Sequence, residues 1–435
     1  MKNRIKIVCF VFVVCFLSTT MTGCFDRREL DDLAYPIAIG LDKGDNNFLK
    51  LTLQLAVPTA IGTGEGGGGA GGSESISVTT VETPSIYSGL NMINTYLSKQ
   101  INLSHAKVLV FSEDLAREGM NKYINAILRS REFRPNAFVL VARGKGAMAE
   151  KYIRSVKPEL EANPAKYYEL VLRAYRYTGF TADAQLVNFH HRMTSYDIQP
   201  VAVLAGVGTF ESLGEIDAEE STFREKEREY PFEGDFKAGD MPKVGEVKSE
   251  TMGLAVFKGA RMVGEIDGEE TIYYLMVSGE FGYTYMTLPD PINKDTFVIL
   301  SVKQSRPPVK KVKMEGDKPV VSVKVKLEAD ILSIQSGINY ESTDKVSVME
   351  ESAEEFIKSG IQRYLKRTAE ELNSDMCGIG TNMKGKFLTW SDWEKFDWKS
   401  KYKDSTFDVS VDLKIRRPGL LVRSADTQIM EGEGK

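Results

Sequence analysis

A basic start followed by an apolar run determines where the rest of this chain folds. Lys2, Arg4 and Lys6 precede an uninterrupted apolar stretch at residues 7–17, which Ser18, Thr19 and Thr20 end. That is the anatomy of an export signal, and the run is too short to span a bilayer as a finished helix. Met21-Thr22-Gly23-Cys24 follows. A small-residue pair directly before a cysteine is what lipoprotein processing reads. Cys24 is therefore expected to be diacylated at sulfur and to become the first residue of the mature protein. Residues 1–23 are then a signal peptide, and the remainder folds outside a cell membrane, tethered to the bilayer through Cys24.

Two other readings of Cys24 stay open: half of a disulfide with cleavage nearby, or an uncleaved anchor. The remaining cysteines favour the lipid. Cys9 and Cys15 lie inside the apolar run and leave with it, so the exported chain keeps Cys24 and Cys377. A disulfide within the chain would need those two, one of them at its extreme flexible end. Two acyl chains suffice for stable anchoring, since each buried methylene contributes about 0.8 kcal/mol and one chain binds only marginally.

With so few cysteines the fold must rest on an apolar core, which excludes disulfide scaffolds and thiolate zinc sites. At 435 residues, 42% hydrophobic and 27% charged, the chain has the makings of two or three ordinary globular domains. Residues 1–23 hold three basic and no acidic side chains, so the formal charge of -5 becomes about -8 on their removal. A mildly acidic exported protein lacks the basic patch expected of a nucleic-acid ligand site.

Hydropathy patterning gives a mixed order of elements, the fold class being α+β. Residues 35–42 read as a short strand. In 49–57, Leu49, Leu51, Leu53, Leu55 and Val57 alternate with Lys50, Thr52 and Gln54, the mark of a half-buried strand. The glycine-rich stretch 62–75 has no following Gly-Lys-Ser/Thr, so it reads as a flexible loop and not a phosphate cradle. Strand pattern resumes at 76–82, and Thr83-Pro84 opens a helix carrying Ile86, Leu90, Ile93 and Leu97 on one stripe. Short apolar strands at 106–111 and 136–142 flank a single helix from Ser112 to about residue 131. Further helices are expected near 147–155 and 164–176, and a strand at 200–210 leaves this region. A sheet covered by helices follows.

Residues 214–250 are rich in Glu and Lys and broken by Pro231 and Pro242, which reads as a solvated linker. The expected division is thus 24–200 as an N-terminal α/β domain, 201–250 as a strand plus charged linker, and 251–425 as a strand-rich C-terminal domain. That last part holds a hairpin at 253–258 and 262–265, then strands at 281–288, 296–304, 309–314 and 320–332. A long helix at about 348–372 buries Met349, Ala353, Phe356, Ile357, Ile361, Tyr364, Thr368 and Leu372, with its glutamates gathered in the first turns. A strand at 408–416 closes the pattern.

A search for reactive chemistry returns little. The three histidines are His105, His190 and His191, with neither a His-Glu-x-x-His nor a paired-cysteine spacing, so no metal site is expected. Cys377 reads as a small buried residue. Gly144-Lys145-Gly146-Ala147 follows a strand and opens a helix, superficially a dinucleotide fingerprint, but a strand-to-helix turn needs glycine anyway. Trp390, Trp393 and Trp398 cluster with Phe396 and Tyr402 and read as a short helix plugging a sheet edge, with a glycan or membrane-interface platform as the other option. No catalytic residue and no cofactor is nominated.

Three blocks carry a family resemblance. The first is Cys24-Phe25-Asp26-Arg27-Arg28-Glu29-Leu30-Asp31-Asp32-Leu33 with Ile37-Ala38-Ile39-Gly40-Leu41-Asp42. The second is Gly253-Leu254-Ala255-Val256-Phe257-Lys258 with Met262-Val263-Gly264 and Glu270-Thr271. The third is Asp375, Gly378, Gly380 and Trp393 with Ile415-Arg416-Arg417-Pro418-Gly419. In this order they resemble the Ger(x)C family, the C-subunit lipoproteins of spore germinant receptors. Phe25 and Glu265 stand where the family often has tryptophan, and the glycine loop is private to this chain.

The resemblance implies a non-enzymatic receptor subunit of mixed α/β structure in about three domains, on the outer face of the inner spore membrane. Its partners would be a membrane-embedded A subunit and a permease-like B subunit, in the sensing of amino acids, sugars or nucleosides and the release of ions. Whether this subunit itself touches the germinant is left open. Two alternatives come from other classes. A solute-binding lipoprotein of a transporter would show two doubly wound lobes around a cleft, and an exported envelope hydrolase would need converging carboxylates or a metal cluster.

Overall fold

The computed structural model describes residues 2–20, 32–45, 48–57, 76–158, 161, 163–208, 232–340 and 342–417. In chain order the strands are β1 (Leu33–Ala34), β2 (Pro36–Lys43), β3 (Leu49–Ala56), β4 (Ile76–Thr83), β5 (Gln100–Ile101), β6 (Val108–Ser112), β7 (Phe138–Ala142), β8 (Val201–Val207), β9 (Ser249–Lys258), β10 (Arg261–Ile266), β11 (Tyr283–Pro289), β12 (Phe297–Glu315), β13 (Lys318–Ile334) and β14 (Thr406–Arg417). The glycine-rich stretch 62–75 and the end of the third block, Pro418 and Gly419, lie outside the described residues.

Eight strands form one sheet in the order β10-β9-β8-β7-β6-β2-β3-β4. Its centre, β8 to β2, is parallel, and an antiparallel pair extends it on each side. The sequence explains the arrangement: Val108–Ser112 and Phe138–Ala142 are apolar along nearly their whole length and buried throughout, as strands covered on both faces must be. On one face Ile39, Leu109 and Val139 pack with the helices Ile86–Asn94, Asn121–Leu128 and Leu186–Thr194. On the other, Ala38, Val110 and Leu140 meet the helices Met148–Ser155 and Pro164–Arg173.

Several expectations are corrected in this region. The helix expected from Ser112 to 131 is two, Glu113–Glu118 and Asn121–Leu128. Gly119 takes φ 123°, a left-handed value that suits glycine, and the next amide, of Met120, donates to the carbonyl of Ala260 at 2.9 Å. The chain is pulled out of the helix to reach the β9–β10 turn. The helix Leu186–Thr194 was not anticipated. Strand β8 does not leave the sheet but joins its parallel centre to β9.

The hairpin at 253–258 and 262–265, expected to begin the C-terminal domain, is β9 with β10, and it completes the eight-stranded sheet. Nor is 232–239 solvated, although Pro242, Val244, Glu246 and Lys248 beyond it are exposed. Phe232, Asp235 and Ala238 are buried, Phe232 lies 6.0 Å from Phe356, and the Ala238 amide donates to the Met252 carbonyl. Two charges here are paired with the sheet: Lys237 binds Glu265 at 2.8 Å, and Asp240 binds Arg143 at 2.8 Å, which also binds Glu265 at 3.0 Å.

The second sheet has four strands, β11-β12-β13-β14. Residues 296–304 and 309–314, expected as two strands, run as the single β12, whose register shifts twice between Gln304 and Val309, around Pro307-Pro308. Strand β14 returns parallel to β13 after the long helix Thr343–Glu370, which buries Met349, Ala353, Ile357, Ile361, Tyr364 and Thr368.

Between the two sheets lies a helix the sequence reading did not contain, Gly268–Ser278, buried from Gly268 to Val277. A helix apolar nearly all round has to be enclosed, and this one touches β9, the long helix, β12 and β13. One apolar cluster therefore continues from Ile37 and Leu140 through Ile272 and Leu275 to Val323 and Leu413. The architecture is α+β with helices joining two sheets, and no pair of doubly wound lobes occurs among the described residues.

Candidate functional site

Cys24 lies outside the described residues. The apolar run ahead of it belongs to the helix Lys2–Thr20, whose side chains from Ile5 to Val14 are exposed, Phe12 at 76%. Among the described residues no helix is long and apolar enough to cross a membrane.

The Gly144-Lys145-Gly146 turn does sit at a helix start, with φ 105° at Gly144 and 87° at Gly146. Its amides are already taken by the protein's own carboxylates. Gly144 donates to Glu113 at 2.9 Å and Gly146 to Asp114 at 3.1 Å. The first amides of the helix Met148–Ser155, from Ala149 and Glu150, donate to Asp42 at 2.8 and 2.9 Å. A bound phosphate would have to displace these carboxylates, so the motif is an internal clamp between β2, the 113–118 helix and this turn. Burial pushes the Asp42 carboxyl up to about 6, against the pull of the two amides.

The other candidates are also accounted for by packing. His105 stands edge-on to Tyr35 at 4.4 Å, while His190 and His191 lie on the helix Leu186–Thr194. The described residues hold no group of His, Cys, Asp and Glu arranged for a metal. Cys377 is buried, its sulfur 3.2 Å from the Tyr364 hydroxyl, and burial pushes the thiol up to about 12. Of the three tryptophans, Trp393 and Trp398 are buried. Trp390 is 52% exposed, under the Lys384 ammonium at 4.7 Å.

Asp375 and Gly380 of the third block enter a buried knot with Trp398. Asp375 accepts from the amides of Ile379 at 3.0 Å and Gly380 at 2.7 Å and from the Trp398 indole at 2.9 Å. A Cβ at Gly380 would lie 2.5 Å from the Trp398 ring, so glycine is needed there. The second block closes around the buried helix. Asp267 and Glu270 form a capping box at its start, and Arg367 of the long helix pairs with Glu270. At the other end Arg192 binds the Tyr274 hydroxyl and Glu280, both at 2.7 Å. Sequence reasoning missed Arg192, Arg367 and Arg143. The one available signal was a charge next to an apolar run, and for Arg367 it sat within the helix expected at 348–372.

Buried polar groups here join helices and sheets, and the fold they hold is that of a family of spore germination proteins. A model described as the spore germination protein N-terminal domain matches residues 26–206, and one described as spore germination B3/GerAC-like, C-terminal, matches 252–419. The chain belongs to this Ger(x)C family. Spore germination protein KC of Bacillus subtilis (strain 168) is 25% identical over 423 residues, covering 95% of this chain and 96% of that protein. Spore germination protein B3 of the same organism is 19% identical over 415 residues, covering 93% and 96%. The crystal structure of the GerBC protein matches at a TM-score of 0.47 and 15% identity, over 87% of this chain and 96% of that one.

Proposed function

We propose that this protein is the C subunit of a spore germinant receptor. It is held on the outer face of the inner spore membrane by diacylated Cys24 and assembled with the membrane-embedded A and B subunits. The observation that carries the reading is the order of parts in one chain: an export signal, a cysteine behind a small-residue pair, then both spore germination domains. A non-enzymatic role is supported by the use of the buried ionisable groups. Asp375, Asp42, Arg192 and Arg367 are each spent on structural partners instead of converging on a cavity. The working surfaces are then faces that meet other proteins.

Two experiments test this. Cys24→Ala is expected to release the protein from membranes with its fold intact, and retention through a high-salt wash would defeat the lipid anchor. Detergent extraction of the tagged protein is expected to bring the A and B subunits with it. Recovery alone with a tightly bound small solute would instead point to a transporter's binding protein.

A further inference from the structure

The second sheet has one face against the core and both edges engaged. At the β14 edge the amides of Leu413 and Ile415 donate to Glu354 and Glu350 of the long helix, each at 2.8 Å. At the β11 edge the Thr287 amide donates to Glu233 at 3.0 Å. The inner side of the β12–β13 hairpin is fastened too, since Lys310 donates to the Cys377 carbonyl at 2.7 Å and Lys386 to that of Val312 at 2.5 Å. What remains is the outer face, where alternate residues of four strands point away from the core.

That face is strongly charged in one place. Residues 303–326 hold eight basic and two acidic side chains in a chain whose formal net charge is -5; of the eight, Lys310 turns inward to Cys377, and Lys303 and Lys326 pair with Glu328 and Asp412. On the outer side Val309 stands opposite Lys324, Lys311 opposite Ser322 and Lys313 opposite Val320. Lys311, Lys313 and Lys324 are exposed and form no ion pair among the described residues. Arg306 and Lys326 face each other in the register, and Asp412 of β14 supplies counter-charge to Lys326 at 3.1 Å. Apolar tips stand at the other end of the same face: Tyr283 and Tyr285, opposite Lys303 and Ser301 with ring centroids 6.2 Å apart on the edge strand, and Leu332, each more than 40% exposed.

We propose that this outer face rests on an anionic lipid bilayer, with Lys311, Lys313 and Lys324 at the headgroups and Tyr283 and Tyr285 in the interfacial layer. The inference rests on the anchored reading above. Point charges spread over a pleated surface suit a fluid array of phosphates, whereas a protein partner is gripped by aromatic or arginine anchors seated in pockets. Tyrosine is the side chain that places a ring in the headgroup layer and its hydroxyl in water. Each lysine reaching an anionic surface is worth about fivefold in partition.

The test uses the acylated full chain on protein-free vesicles, either phosphatidylcholine alone or phosphatidylcholine mixed with phosphatidylglycerol, with lysine acetylation read by mass spectrometry. Lys311, Lys313 and Lys324 are expected to react several-fold more slowly on the anionic vesicles, and salt should abolish the difference. Lys122 and Lys358, on helices, serve as controls that stay unchanged. The variant K311E/K313E/K324E should lower partition to anionic over neutral vesicles on the order of a hundredfold. Equal reactivity on the two vesicles overturns the proposal. So does protection in vesicle-free buffer, which would mean cover by the chain itself, and so does protection only in native spore membranes, which would mean a protein partner. Slow lysine reaction on anionic vesicles with no retention on neutral ones would count against the Cys24 anchor and leave the face standing.

Discussion

Trp398 donates its indole N–H to the carboxylate of Asp375 at 2.9 Å, and both side chains are buried. Burial pushes the Asp375 carboxyl up, and the amides of Gly380 and Ile379 with this indole hold it down. Trp398→Phe keeps most of the ring and removes one donor from a buried carboxylate, at an expected cost of about 1.5–3 kcal/mol. Gly380→Ala forces a Cβ into the same ring and should cost about 1–3 kcal/mol. Urea denaturation of both variants and the double variant measures this. Strictly additive losses would mean that the two residues do not share one knot.

Cys377 should be chemically silent in the folded protein. With its thiol pushed up to about 12, the thiolate at pH 8 is about one part in ten thousand, and burial blocks access as well. Peptide mapping after alkylation is expected to find Cys377 unmodified without denaturant and fully modified in concentrated urea. Rapid labelling under native conditions would show that the contact with Tyr364 opens.

Asp42 makes stability depend on pH in the direction opposite to an ordinary salt-bridged carboxylate. Its carboxyl is raised from 3.8 to about 6 in the fold, so the folded state binds the proton more tightly than the unfolded chain. Stability from this group is fully present below about pH 4, is lost as pH rises toward 6, and is level above that. The swing is about 3 kcal/mol at most, since each pKa unit corresponds to about 1.4 kcal/mol. The stability of wild type relative to Asp42→Asn should thus improve between pH 7 and pH 4.5 in thermal melts. An unchanged difference would place the carboxyl in its usual range.

A fragment beginning at residue 251 should fail to fold cooperatively, although a family domain begins at 252. It would leave β9 without its partner β8 and expose Leu254 and Val256, which are fully buried. It would also lose Arg192 from Tyr274 and Glu280. Near-UV circular dichroism of the fragment against the full chain decides this, and a native-like spectrum would mean that the second part stands alone.

Most strands were legible because their burial is one-sided or complete. The alternation from Leu49 to Leu55 gave the strand but not its burial, because Thr52 and Gln54, expected on a wet face, are buried, Gln54 against the Ile153 carbonyl and the Tyr168 hydroxyl. Uniformly apolar β7 admits one kind of neighbour. The long helix was legible for the same reason, through Met349, Ala353, Ile357 and Ile361. The helix Gly268–Ser278 was not, because amphipathic reading depends on a polar face and this helix has none; Ile272 to Val277 would serve a buried strand equally well. Residues 232–239 misled because a charge that ends up paired against the sheet, as Lys237 does with Glu265, looks the same in sequence as a charge in water. Of the residues proposed to act, Cys24 is read from its neighbours alone. The open, basic sheet face could not, since Lys311-Val312-Lys313 signals a half-buried strand without saying what its wet side meets.

The glutamates at the rim of the second sheet also bear on how this protein meets others. A strand edge recognises any extended chain by main-chain bonding alone, with little regard for sequence. With Leu413 and Ile415 answered by Glu354 and Glu350, that indiscriminate route is shut along this stretch. On the proposed membrane anchor, neighbours crowded beside it in two dimensions would then be told apart by their side chains.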